Sequence, residues 1–223
     1  MSSSNLIRWA GITALLGGVL FFVSGVVWEI FVVPDHEHGL ASAISWGLGL
    51  ASYMLILLAL AALYARQATQ TGTFGLVAFL LAFIGTAMAM GMSWFGAFVQ
   101  PGLEELQELA EAAGVVMAEP SEIIVGFASS AALYVLGWLL FGIVELKARA
   151  LPRLAVLFAM LGPAKWLAAE FIAEATGSDW LFGILPIFEI GLVWMGYALL
   201  RSLRGQSKTE GAPSSTAQVM HEQ

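Results

Sequence analysis

The chain has 223 residues, of which 59% are hydrophobic and 11% are charged, and its formal net charge is −7. A soluble domain carries about a quarter of charged residues, so this composition excludes a water-soluble fold. The nine lysines and arginines form no basic stripe along the chain, and we therefore expect no binding to nucleic acid. Cysteine is absent, which excludes disulfides, a thiolate nucleophile and a cysteine metal site.

Apolar runs close to the ~20 residues that cross a hydrocarbon core as a helix divide the chain. They predict an all-α, polytopic membrane helix bundle with a single six-helix transmembrane domain over residues 7–200. The six spans are expected at about 7–33, 44–65, 74–99, 123–144, 154–173 and 181–200. Residues 1–6 are read as an N-terminal tail. Residues 201–223 are polar and charged, and we expect a disordered cytoplasmic tail there because little apolar area is available for burial.

The segment between spans three and four is too polar to cross a membrane. Leu103, Leu106 and Leu109 recur at near-helical spacing, opposite the glutamates at 104, 105, 108 and 111. This periodicity predicts an amphipathic helix in the outer loop.

The basic residues indicate how the spans are oriented. If the N-terminus is cytoplasmic, the outer loops contain no lysine or arginine, and only Lys165 falls in the middle of a span. The inner segments then hold the remaining eight basic residues, Arg8, Arg66, Lys147, Arg149, Arg153, Arg201, Arg204 and Lys208. Cytoplasmic loops are enriched in lysine and arginine, so we predict that both termini are cytoplasmic.

Two short motifs resemble a family of uncharacterised bacterial integral membrane proteins with six spans. The first is LYARQA at 63–68, where Tyr-Ala-Arg closes span two, and the second is LPRLAVLF at 151–158, where Leu-Pro-Arg opens span five. The family is also similar in having a histidine-containing outer loop after span one. The resemblance implies the six-span layout and a bacterial cytoplasmic membrane, and it assigns no activity, ligand or functional residue.

Apart from Arg8 at the start of span one, four charged residues lie within the predicted spans. A charge at mid-bilayer costs at least about 2.5–3.5 kcal/mol, so such side chains usually face the bundle interior and find a partner. Lys165 in span five and Glu189 in span six reach comparable depths, and the short connection between these spans predicts a Lys165–Glu189 pair. Glu170 is about 140° around the helix from Lys165 and belongs to another face. Glu29 and Glu170 both lie towards the outer ends of their spans.

These four residues allow two functional interpretations. In the first, which we favour, the charges are structural and the chain is a non-enzymatic accessory or binding protein of the membrane. In the second, Glu29, Lys165, Glu170 and Glu189 form an intramembrane polar site in a small transporter or a proton or cation pathway. An enzyme acting at the outer lipid surface is a third alternative.

The loop after span one contains Asp35, His36, Glu37 and His38, which are weak candidates for metal ligands. A solvated polar loop explains the same residues, and we assign no metal site. The histidines at 36, 38 and 221 all fall outside the spans, which excludes bis-histidine haem ligation within the bilayer. We expect no cofactor and assign no catalytic residue. The expected partner is the lipid bilayer, and binding to a second copy or to another membrane protein is left open.

Overall fold

The computed structural model describes residues 3–32, 39–115, 121–149, 151–176 and 185–210, with the backbone alone at residues 3, 4, 122, 124, 166–176 and 204–210. Every regular element in these ranges is helical, which confirms the all-α prediction. The elements are α1 (Ser3–Val27), a π-helical turn (Trp28–Val32), α2 (Leu40–Phe98), α3 (Gln100–Ala112), α4 (Ser121–Ala148), α5 (Arg153–Thr176) and α6 (Ile187–Glu210).

Three of the described helical segments are long and apolar enough to cross a membrane. They are Asn5–Phe31, Leu40–Phe98 and Val125–Ala148. Because a span needs only ~20 residues, the 59 residues of α2 exceed what one straight crossing requires. These segments indicate a membrane protein.

The long α2 folds back on itself at Gly72. This glycine has φ 57° and ψ −152°, a conformation that a side chain would disfavour. Residues 40–71, the first limb, and residues 73–98, the second limb, then run antiparallel. Tyr64 stacks on Phe79 with ring centroids 4.4 Å apart, and further along the two limbs Gly96 packs against the ring of Trp46. The turn predicted from residue 66 to residue 73 is therefore confined to Gly72.

The remaining helices pack in chain order around the bundle. Gly11 of α1 meets Leu200, and Gly18, further along α1, meets Leu192. The residue order is opposite on the two helices, so α1 and α6 are antiparallel. Further close contacts between neighbouring helices are Gly17 with Ile56, Gly85 with Tyr134, Gly142 with Met160, and Gly191 with Ala159. These contacts close the bundle by placing α6 beside α1.

An aromatic cluster fills the middle of this bundle. Its members come from α1, the first limb of α2, α4 and α6, and they are Phe21, Tyr53, Tyr134, Trp138 and Phe188. The ring centroids of Trp138 and Phe188 lie 4.9 Å apart at an interplanar angle of 90°. Such edge-to-face contacts contribute about 0.5–1.5 kcal/mol per pair. The cluster therefore joins four helices at one level.

The predicted helix between spans three and four is present as α3, and none of its residues is buried. Leu103, Leu106 and Leu109 are exposed along one side. The apolar side chains of α3 do not contribute to the core of the described bundle.

Candidate functional site

Close packing between α5 and α6 places Lys165 at the start of α6. There is no room for a Cβ at Gly162 against Phe188, nor at Gly191 against Ala159. Small residues let helices approach closely in a membrane. At this junction the Lys165 ammonium donates a hydrogen bond of 2.6 Å to the carbonyl oxygen of Leu185, two residues before α6 begins. Lys165 thus joins α5 to the segment that enters α6.

Two of the other predicted intramembrane charges act on Lys165 at this junction. Glu189 and Glu29 both attract the Lys165 ammonium electrostatically. Glu29 lies in the π-helical turn after α1, and Glu189 lies in the first turn of α6, where the helix dipole favours a negative charge. The Lys165 hydrogen bond goes to the backbone of Leu185, while the Glu189 Oε2 atom is buried without a hydrogen-bond partner among the described residues.

Glu189 also acts on two tyrosines that the sequence analysis assigned to no site. The rings of Tyr53 and Tyr134 meet edge to face with centroids 5.9 Å apart, and Glu189 acts electrostatically on both hydroxyls. The buried Tyr134 hydroxyl interacts with the Tyr53 hydroxyl. We call Glu29, Tyr53, Tyr134, Lys165 and Glu189 the junction cluster.

Some predicted site residues cannot be placed in this geometry. Glu170 lies on α5, in the stretch where only the backbone is described. Asp35, His36, Glu37 and His38 lie outside the described residues. Within the described ranges, no three histidine, aspartate or glutamate side chains gather as metal ligands.

A second polar pair lies at the end of the bundle where α2 turns. Gln67 and Glu145 are each only 2% exposed, and the Gln67 side-chain amide donates a hydrogen bond of 2.8 Å to Glu145 Oε1. The sequence analysis ended spans two and four at residues 65 and 144, and so left both residues in turns. The helices extend further, to residues 71 and 148.

A periodic signal could have located this pair. Glu145 follows Trp138 and Phe141 at offsets of seven and four, and Gln67 follows Leu60 at an offset of seven. Such offsets put residues on one helix face. All five residues are indeed buried, so continuing the helical period past the last apolar residue would have placed both polar side chains inside.

Fold and site together define a helical membrane protein whose described residues include a partly buried polar group at the α5–α6 junction and a buried polar pair at the Gly72 end. Comparison with protein-family models, curated proteins and solved structures finds no match. Functional arguments therefore rest on the residues of this chain.

Proposed function

We propose that the chain crosses the cytoplasmic membrane of a bacterium six times, with both termini in the cytoplasm. The two limbs of α2 supply two crossings, and α1, α4, α5 and α6 supply one each. The contact between Gln67 and Glu145 supports a common end for the Gly72 turn and the α4–α5 turn. The basic residues at this end, Arg66, Lys147, Arg149 and Arg153, are exposed, as expected for cytoplasmic segments.

Within this topology, the chain acts as a non-enzymatic accessory or binding protein whose junction cluster is mainly structural. The observation that carries this proposal is the bond from the Lys165 ammonium to the Leu185 carbonyl oxygen. A lysine that serves as a tether between two helices satisfies a backbone acceptor that the bilayer could not. Its attraction to Glu189 and Glu29 offsets part of the cost of keeping a charge there.

The alternative is a small transporter or a proton or cation pathway through Glu29, Lys165, Glu170 and Glu189. It is favoured by the buried Glu189 Oε2 atom, which has no hydrogen-bond partner among the described residues. A purely structural pair would be expected to satisfy both carboxylate oxygens, since buried polar atoms are normally hydrogen-bonded.

Flux measurements on vesicles that contain the purified protein and a pH-sensitive dye distinguish the two candidate functions. For an accessory protein, we expect proton and potassium fluxes no greater than those of empty vesicles. The Lys165→Met variant should then lower the free energy of unfolding by about 1.5–3 kcal/mol, the usual loss for a hydrogen bond to a charged group.

A proton flux in the wild-type vesicles that Glu189→Gln abolishes would instead establish the pathway. Glu108→Gln is the matched control, because Glu108 is an exposed acid on α3 and should leave any flux unchanged.

A further inference from the structure

The Gln67–Glu145 pair leaves two buried oxygen atoms without hydrogen-bond partners. Only Gln67 Nε2 and Glu145 Oε1 are joined. Gln67 Oε1 and Glu145 Oε2 are both buried, and neither has a hydrogen-bond partner within the described residues. Both side chains are 98% buried, as their exposed fractions of 2% show. Each of these two side chains therefore carries one acceptor that no described residue satisfies.

The surroundings of Glu145 do not suit an ionised carboxylate. Phe141 and Trp138, one and two turns away on the same helix face, are almost fully buried, and the hydrogen-bond partner of Glu145 is a neutral amide. Burying an unpaired carboxylate is so costly that the group normally becomes neutral instead. A neutral carboxyl group also gains an O–H donor.

The charged side chains near this end of the bundle form no hydrogen bond to Glu145 among the described residues. Arg66 on the first limb attracts Glu145 electrostatically, but its side chain is exposed to solvent. On α4 itself, the Lys147 ammonium lies over the ring of Phe74, 5.4 Å from its centroid. The other described basic side chains of the helix ends are all exposed, and they are Arg8, Arg149, Arg153 and Arg201. None of these groups replaces the missing hydrogen-bond partner.

We propose that the Gln67–Glu145 pair is a proton-binding site, in which Glu145 holds one proton on Oε2 and donates it to Gln67 Oε1. A single proton then satisfies both remaining oxygens and completes a two-bond pair between a carboxylic acid and a carboxamide. The bound species is a proton taken from the aqueous phase at the Gly72 end. The proposal is independent of the junction cluster, because it uses none of those residues and holds for an accessory protein as well as for a transporter.

Infrared spectroscopy of the full chain in reconstituted membranes tests this site directly. At neutral pH we expect a protonated carboxyl C=O band that shifts in heavy water and disappears in Glu145→Gln. The Glu108→Gln variant should leave that band intact, and Glu189→Gln identifies any band that belongs to the junction cluster. The proposal would be overturned if the infrared difference spectrum of wild type minus Glu145→Gln showed the bands of an ionised carboxylate. Carboxylate bands that change when sodium is added would overturn it as well.

A second variant covers the case in which Glu145→Gln does not fold. Gln67→Leu removes the proposed acceptor and keeps the carboxyl group. The C=O band of Glu145 should then remain and move to higher frequency, because its hydrogen bonds to the amide are lost. A band that stays at the wild-type frequency in Gln67→Leu would contradict the paired arrangement.

Discussion

At the scale of single residues, most buried polar side chains of this bundle form hydrogen bonds to other residues of the bundle. The Trp138 indole N–H donates a hydrogen bond of 3.2 Å to the Thr86 hydroxyl oxygen. That hydroxyl in turn donates a hydrogen bond of 2.6 Å to the carbonyl oxygen of Ala82. Ser52 donates to the Gly17 carbonyl oxygen at 2.7 Å. Since the bilayer core offers no water, such internal pairing is required. Against this background, single oxygens of Gln67, Glu145 and Glu189 and the indole nitrogen of Trp46 are buried with no hydrogen-bond partner among the described residues.

The Trp138–Thr86 bond gives a direct test of these energies. Thr86→Val keeps the shape of the side chain and leaves the buried indole N–H without an acceptor, so we expect the free energy of unfolding to fall by about 1 kcal/mol. A titration with denaturing detergent measures this change.

Trp138→Phe combined with Thr86→Val forms the double-mutant cycle that isolates the bond. Ser129→Ala is the control, because Ser129 makes a local bond to Gly126 on an exposed surface. If Thr86→Val were no more destabilising than Ser129→Ala, the hydrogen bond would contribute nothing to stability.

At the scale of helices, glycines decide how closely the second limb of α2 approaches α4. A Cβ on Gly85 would lie 2.5 Å from the backbone nitrogen of Tyr134, whereas a Cβ on Gly91 of the same limb meets nothing within 4 Å. Backbone atoms cannot rotate out of the way as a side chain can. The Gly85 contact is therefore one that only glycine permits.

We expect Gly85→Ala to lower the free energy of unfolding by about 1–3 kcal/mol, the usual cost of overpacking. Gly91→Ala, on the same limb, should be neutral or slightly stabilising because alanine favours the helix. Parallel unfolding titrations of the two variants compare them. Equal effects would show that the close approach of the second limb to α4 is not needed.

At the scale of the whole molecule, the bundle has two distinct ends. Thr69 lies just before the Gly72 turn, and Glu108 lies on α3, which follows the far end of the second limb. The 26 residues from 73 to 98 separate them along the bundle axis, a length of about 39 Å at ~1.5 Å per residue. That length exceeds the ~30 Å of a hydrocarbon core, so we expect the two positions on opposite sides of the membrane.

The absence of cysteine from the chain makes this prediction easy to test. Thr69→Cys should react with a membrane-impermeant maleimide only from the cytoplasmic side, and Glu108→Cys only from the outside. Intact spheroplasts and inverted vesicles supply the two orientations. Labelling of both positions from one side would contradict the second limb as a crossing, and exchanged sides would contradict cytoplasmic termini.

Much of the fold follows from local properties of the chain. The apolar runs predict the helices, and the helical spacing of Leu103, Leu106 and Leu109 predicts α3, because both signals are periodic within a short window. The Lys165–Glu189 pair stays a prediction, because the Lys165 hydrogen bond goes to the Leu185 carbonyl oxygen and Glu189 acts on Lys165 only electrostatically. By contrast, the sequence analysis missed Gln67 and Glu145, because it ended each span where hydropathy falls rather than where helical periodicity ends.

By itself, the sequence determined that this chain is helical and suited to a membrane, because hydrophobicity and periodicity are properties of each segment. Only the tertiary structure decided which polar groups meet. The Lys165 bond to Leu185 depends on the close approach of α5 and α6 at Gly162, and the Gln67–Glu145 pair joins residues 78 positions apart. Such contacts depend on how whole helices pack, which no local pattern specifies.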